Sequence, residues 1–273
     1  MLGNLADFNP LTDAIAYEQM PEIDRFALHT LQSLIARLRK AYDDYEFHVI
    51  YHRLYNYCTL DLSAFYLDIL KDRLYTSPPA SAARRSAQTV MFTILDAMVR
   101  LMAPILAFTA EEIWKYMPVN SNRADSIHQA GLPEVDAGWQ DDDLAARWES
   151  ILKIRGEVTK ALESARADKL IGHPLDASVT LSVDPAMYEL LLPYTDQLHT
   201  IFIVSQAHLV SGQDLSGAYR SEEVDGLAIQ VARAEGQKCE RCWIFEPTVG
   251  NSAEHPTVCE RCSKALAEIG AEE

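Results

Sequence analysis

From Pro21 onward, apolar residues recur every three or four positions: Ile23, Ala27, Leu31, Leu34, Leu38, Tyr42 and Tyr45. That spacing puts them on one stripe of a helix, and Pro21 suits its first turn. The preceding residues 1–20 read as an irregular lead-in, with Thr12 and Asp13 as capping candidates. A second helix is predicted from about Glu46 to Tyr75, turning Val49, Leu54, Tyr57, Leu62, Phe65 and Ile69 inward; Ser77-Pro78-Pro79 ends it. A third is predicted from Ala82 to about Met117. Its broad core face carries Val90, Ile94, Leu95, Met98, Leu101, Met102, Ile105 and Phe108, and Pro104 inside it predicts a kink. A polar loop at 118–140 leads to a fourth helix, about Asp141 to Asp168, whose acidic start complements the positive end of the helix dipole. Four long amphipathic helices joined in this way predict an antiparallel bundle.

After Gly172 and Pro174 the period changes from helical to alternating. Ala177 to Val183 reads as a strand, and a short helix follows around Pro185 to Leu198. Ile201 to Val204 together with Ala207 to Val210 predicts a second strand with a bulge, and Leu227 to Ala234 a third. The expected fold class is mainly α: the bundle, a small α+β subdomain, and a carboxy-terminal four-cysteine zinc module. The corresponding domains are 1–170, 171–235 and 236–273.

The cysteines carry the most specific chemistry. Cys239 and Cys242 stand at C-x2-C, Cys259 and Cys262 repeat the spacing, and sixteen residues separate the pairs. This is the arrangement of a four-thiolate zinc site, in which each tight turn offers two soft donors. Gly250-Asn251 marks a reversal between the two arms. His255 is a nearby alternative ligand, read as a loop histidine because four thiolates suffice. Four protein ligands leave no open position, so the metal is expected to shape the chain rather than catalyse. The fifth cysteine, Cys58, is expected to be apolar filler.

Charge narrows the partners. The formal net charge is −16, which repels polyanions at long range. Any nucleic acid must therefore be met by local basic patches and by shape. Cysteines at metal spacing suit a reducing cytoplasm, no apolar run approaches the length of a membrane span, and the first residues lack the features of a signal peptide.

Several runs resemble bacterial isoleucyl-tRNA synthetase, a class I aminoacyl-tRNA synthetase. Asn56-Tyr57-Cys58, the stretch Ser63 to Tyr75, Ala83-Arg84-Arg85-Ser86, Met102 to Leu106 and Thr109 to Trp114 are similar to its anticodon-binding bundle. Arg155 to Val158, Arg166 to Lys169 and Lys238 to Trp243 are similar to its carboxy-terminal region, in the same order. Leu2 to Phe8 resembles the segment that follows the catalytic domain, so the chain reads as part of something longer.

The resemblance implies a ligase that joins isoleucine to its tRNA using ATP. It places catalysis and editing on domains acting in cis whose His-Ile-Gly-His and Lys-Met-Ser-Lys-Ser signatures do not occur here. Ile171-Gly172-His173 is a decoy, because Leu170 replaces the first histidine. No catalytic residue is therefore expected, and ATP would bind only in the missing catalytic domain. The expected partner is isoleucine tRNA, with no DNA and no membrane.

Unpaired RNA bases invite aromatic and guanidinium planes. The resemblance makes Trp243 the preferred stacking platform and Arg241 and Arg261 phosphate contacts; Arg84, Arg85, Arg53, Lys71 and Arg73 form a second candidate cluster. Phe8 is expected to pack against the bundle. Two other readings compete: a noncatalytic zinc-ribbon interaction protein, and a zinc-hairpin DNA glycosylase. The latter needs an amino-terminal proline where Met1-Leu2 stands.

Overall fold

The computed structural model describes residues 1–119 and 123–272. The chain falls into two compact units, Met1–Ala145 and Ala146–Glu273.

In the first unit, α1 spans Glu22–Asp43 and buries Ile23, Ala27, Leu31, Leu34 and Leu38 of the predicted stripe, whereas Tyr42 is half-buried and Tyr45, beyond the end of the helix at φ 57°, is exposed. The second rod is one uninterrupted run in three parts: α2 (Phe47–Asn56), a π-helical stretch (Tyr57–Tyr66) and α3 (Leu67–Thr76). Helix α4 (Ala82–Met102) starts on Ser81, whose hydroxyl accepts from the Arg84 amide. The expected kink at Pro104 is a complete break, after which α5 spans Ala107–Tyr116. Proline cannot donate the next helical hydrogen bond, so Ala103–Leu106 forms a turn instead. The break also corrects the predicted core face: Ile105 is exposed, and Phe108 is 93% exposed.

The ends of these rods are pinned by polar contacts. Near the start of α1, the fully buried Asp24 carboxylate accepts from Tyr66 Oη at 2.8 Å, from Arg73 Nη1 at 3.0 Å and Nη2 at 2.6 Å, and from Ser86 Oγ. Near the end of α1, Tyr42 Oη donates to the Leu101 carbonyl at 2.6 Å. Helices α1 and α4 therefore run in the same direction, with the intervening rod antiparallel to both.

Helix α6 (Asp142–Ala167) begins in the first unit and continues through the second. Beyond it, β1 (Ala177–Val183) pairs in parallel with β2 (Gln206–Ser211) through a crossover containing α7 (Pro185–Leu191) and α8 (Leu198–Phe202). Strand β1 pairs antiparallel with β4 (Ala228–Arg233), and β4 with the short β3 (Tyr219–Arg220), giving the order β2-β1-β4-β3. The segment predicted as strand at Ile201–Val204 is instead the end of α8 and the turn that follows it. Leu198, Ile201 and Phe202 are buried at helical spacing, and Ile203 closes the helix in the left-handed conformation at φ 56°. Glu157 on α6 accepts from Tyr219 Oη at 3.0 Å and from Lys160 Nζ at 2.7 Å, linking the helix to β3. A two-residue ladder, β5 (Gln237–Lys238) with β6 (Phe245–Glu246), and a last helix, α9 (Glu260–Glu272), complete the unit.

Candidate metal centre and nucleic-acid interface

The β5–β6 ladder holds the first cysteine pair in a tight knuckle. The Cys239 amide donates to the Ile244 carbonyl, and the Trp243 amide returns to the Cys239 carbonyl, each at 2.9 Å. Gly236 makes the entry possible: at φ 93° an added Cβ would lie 2.4 Å from the Glu246 carbonyl carbon. The second pair sits where α9 begins, and the Cys259 amide points at Cys239 Sγ from 3.3 Å. Gly250, at φ 94°, turns the chain between the arms. Val249, Val258 and the half-buried Leu266 pack around the thiols.

The four sulfur atoms lie within 4.8 Å of one another, with Cys242 and Cys259 3.9 Å apart. A tetrahedron with sulfur about 2.3 Å from zinc has edges of about 3.8 Å, so the donor set fits that ion. A hydrogen bond with Cys262, and then burial, push the Cys242 thiol well above its ordinary value. Thiols crowded in this way favour their ionised form only around a cation. His255 stands outside the cluster, its amide donating to Ser252 Oγ.

Beside the cysteine cluster, Trp243 is 61% exposed at φ 64°, with Lys238 Nζ 5.7 Å from its ring centroid. Arg261 is exposed and Arg241 half-buried.

The arginines of the bundle are placed differently. Arg73 is largely buried on Asp24. Arg84 donates to Asp7 Oδ2 at 2.9 Å, while Arg85 donates to the Asp7 carbonyl at 2.7 Å and to Gln88 at 2.8 Å, so both tie down the lead-in. Lys71 pairs with Asp68 on its own helix. Arg53 is exposed on α2. Phe8 is buried 6.0 Å from the Phe92 ring, as packing requires. Sequence reasoning passed over the exposed aromatic row of α2, although its four-residue spacing was visible.

A family model described as the anticodon-binding domain of tRNA ligase matches residues 24–181. The chain belongs to this family of anticodon-binding domains. A second model, described as a zinc finger found in FPG and IleRS, matches residues 236–265 and contains all four cysteines of the cluster. The chain is 51% identical over 269 residues to the isoleucine–tRNA ligase of Desulforamulus reducens. The corresponding enzymes of Moorella thermoacetica and Geobacter sulfurreducens are 49% and 48% identical. Each alignment covers 97–98% of this chain, which spans only 28–29% of the length of those relatives. Among the described residues, no helix is long and apolar enough to cross a membrane.

Proposed function

We propose that this chain is the tRNA-recognition part of an isoleucine–tRNA ligase acting in the cytoplasm. Its bundle grips the anticodon stem-loop of isoleucine tRNA, and a zinc ion held by Cys239, Cys242, Cys259 and Cys262 shapes the adjoining tail. The reading is carried by relatives that align through both the bundle and the cysteine cluster. Activation of isoleucine with ATP, transfer and editing would belong to other parts of such a ligase, acting in cis, and this chain alone would be inactive.

Within that reading, the zinc would do no chemistry on substrate; when bound, it closes the tail into a rigid knuckle. Trp243, exposed and non-glycine at positive φ, is the stacking platform that the knuckle presents. Strain of this kind persists where the surroundings impose it. Arg241, Arg261, Arg53 and Lys71 are the cationic contacts, and Arg84 and Arg85 help through the segment they anchor. Arg73 acts on the scaffold, since its guanidinium is engaged by Asp24.

Gel-shift titration of the chain against isoleucine tRNA and an anticodon-swapped control tests the proposal. Preferential binding of the first is expected, with Trp243→Ala weakening it about tenfold. Equal affinity for both RNAs, or none, counts against it.

A further inference from the structure

The bundle exposes an aromatic row whose purpose its own packing does not explain. Of the ten residues of α2, only Ile50 is fully buried. Phe47, Tyr51 and Tyr55, four residues apart, are 52%, 62% and 56% exposed. Four residues of α-helix rise about 6 Å, so the three rings form one ladder along the rod, with His48 and His52 in the neighbouring row. The Tyr51 and Tyr55 rings already lie nearly parallel, 6.0 Å apart at 26°, and Tyr51 meets the His52 ring at 5.2 Å. Beside the lower end of the ladder Tyr45 is 79% exposed. The Tyr42–Leu101 contact brings the Pro104 break, with exposed Ile105, Leu106 and Phe108, to this same end of the bundle.

An apolar surface of this extent marks a partner, and charge selects which. The chain carries 40 acidic residues in 273, yet the fourteen from Phe47 to Leu60 include none. The same stretch holds Arg53, His48 and His52, all exposed. Asp43, Asp44 and Glu46 precede the ladder; Asp44 is already paired with Lys40. An acid-free ladder of rings with a cation at its side suits flat, electron-rich faces on a polyanionic strand better than it suits a protein helix.

We propose that Phe47, Tyr51 and Tyr55 are a base-stacking site for consecutive unpaired nucleotides of an RNA loop, with Arg53 meeting the backbone. This rests on the tRNA-recognition reading and adds to it a site on α2 remote in sequence from Trp243. The rings would take bases in turn and tolerate any sequence, since every base offers a π face. Selectivity would then be for unpaired over paired RNA.

The test compares the chain with its Tyr51→Leu/Tyr55→Leu and Tyr51→Phe/Tyr55→Phe variants. The probes are an anticodon stem-loop carrying 2-aminopurine in the loop and a fully paired duplex of equal length. The wild type should bind the loop and quench the fluorophore. The Leu variant should bind about tenfold or more weakly without quenching, and the Phe variant should match wild type. Equal melting temperatures would show that the Leu variant folds. Wild-type binding with an unchanged Leu variant would overturn the stacking site while leaving tRNA recognition intact. Failure of the wild type to bind any loop would overturn both. Self-association of the wild type in sedimentation, abolished in the Leu variant with loop binding unaltered, would assign the row to a second copy of the chain and overturn the RNA site.

Discussion

Asp24 is fully buried, and its two carboxylate oxygens serve a guanidinium, a phenol and a hydroxyl drawn from three later segments of the chain. Burial, followed by the Asp24 charge, pushes the Tyr66 phenol well above its ordinary value, so it remains a donor. Removing one partner from such a group leaves the others desolvated and unmatched. Asp24→Ala should therefore cost about 3–5 kcal/mol in denaturant unfolding, because Arg73 stays buried without its counter-charge. A loss below about 1 kcal/mol would show that water or rearrangement relieves the site. Nothing in the local sequence betrays this network: an acidic residue in the first turn of a helix reads as a dipole partner, and Arg73 reads as one of a cluster of candidate RNA contacts. Both have their roles fixed by residues more than forty positions away.

At the scale of elements, periodicity located the rods well and their interruptions less well. The α1 stripe and strand β1 follow from spacing alone because each buries a single continuous face. The Pro104 break went further than a kink because the residues after it, Ile105 and Phe108, find nothing to pack against in the bundle. Strands β3, β5 and β6 are two residues long and leave no alternation to read. The cysteine knuckles, in contrast, are legible from spacing alone, since a paired C-x2-C pattern stands out irrespective of the surrounding fold. The placement of the bundle arginines was not, because an ion pair and an RNA contact call for the same side chain.

Glu157 makes the junction of α6 with β3 sensitive to acid. The hydrogen bond from Lys160, then those from Ser221 and Tyr219, hold its carboxyl below the usual glutamate value. A depressed folded value means that the stabilisation is complete above the unfolded value of about 4.3 and is lost as pH falls through the lower folded one. The stability gap between wild type and Glu157→Gln should shrink across that acidic window when thermal melts are followed by circular dichroism. A gap independent of pH would show that the carboxylate charge is immaterial there.

For the whole molecule, two kinds of cohesion operate. The first unit has a broad aliphatic core. The segment around the cysteines has only a small cluster of apolar residues, so the proposed zinc would supply most of its folding energy, on the order of 10–16 kcal/mol as in zinc-finger peptides. Chelation should release about one zinc per chain, shift the fluorescence of exposed Trp243 and leave most of the helical circular dichroism unchanged. A preparation whose Trp243 environment ignores the chelator would contradict a structural ion.

The π-helical stretch has a consequence for the rod that carries it. About five turns of 3.6 residues separate Tyr51 from Ile69 and Tyr55 from Arg73, so a regular helix would bring each pair onto a shared azimuth. Instead the two tyrosines look outward while Ile69 is buried and Arg73 reaches Asp24. The wider turns, foreshadowed by the five-residue step from Tyr57 to Leu62, act as a phase shifter. They let one unbroken rod show an aromatic flank at one end and an anchoring flank at the other. Shortening the stretch by a single residue would rotate one flank against the other by about 100°, swinging the ladder out of view without touching any of its rings.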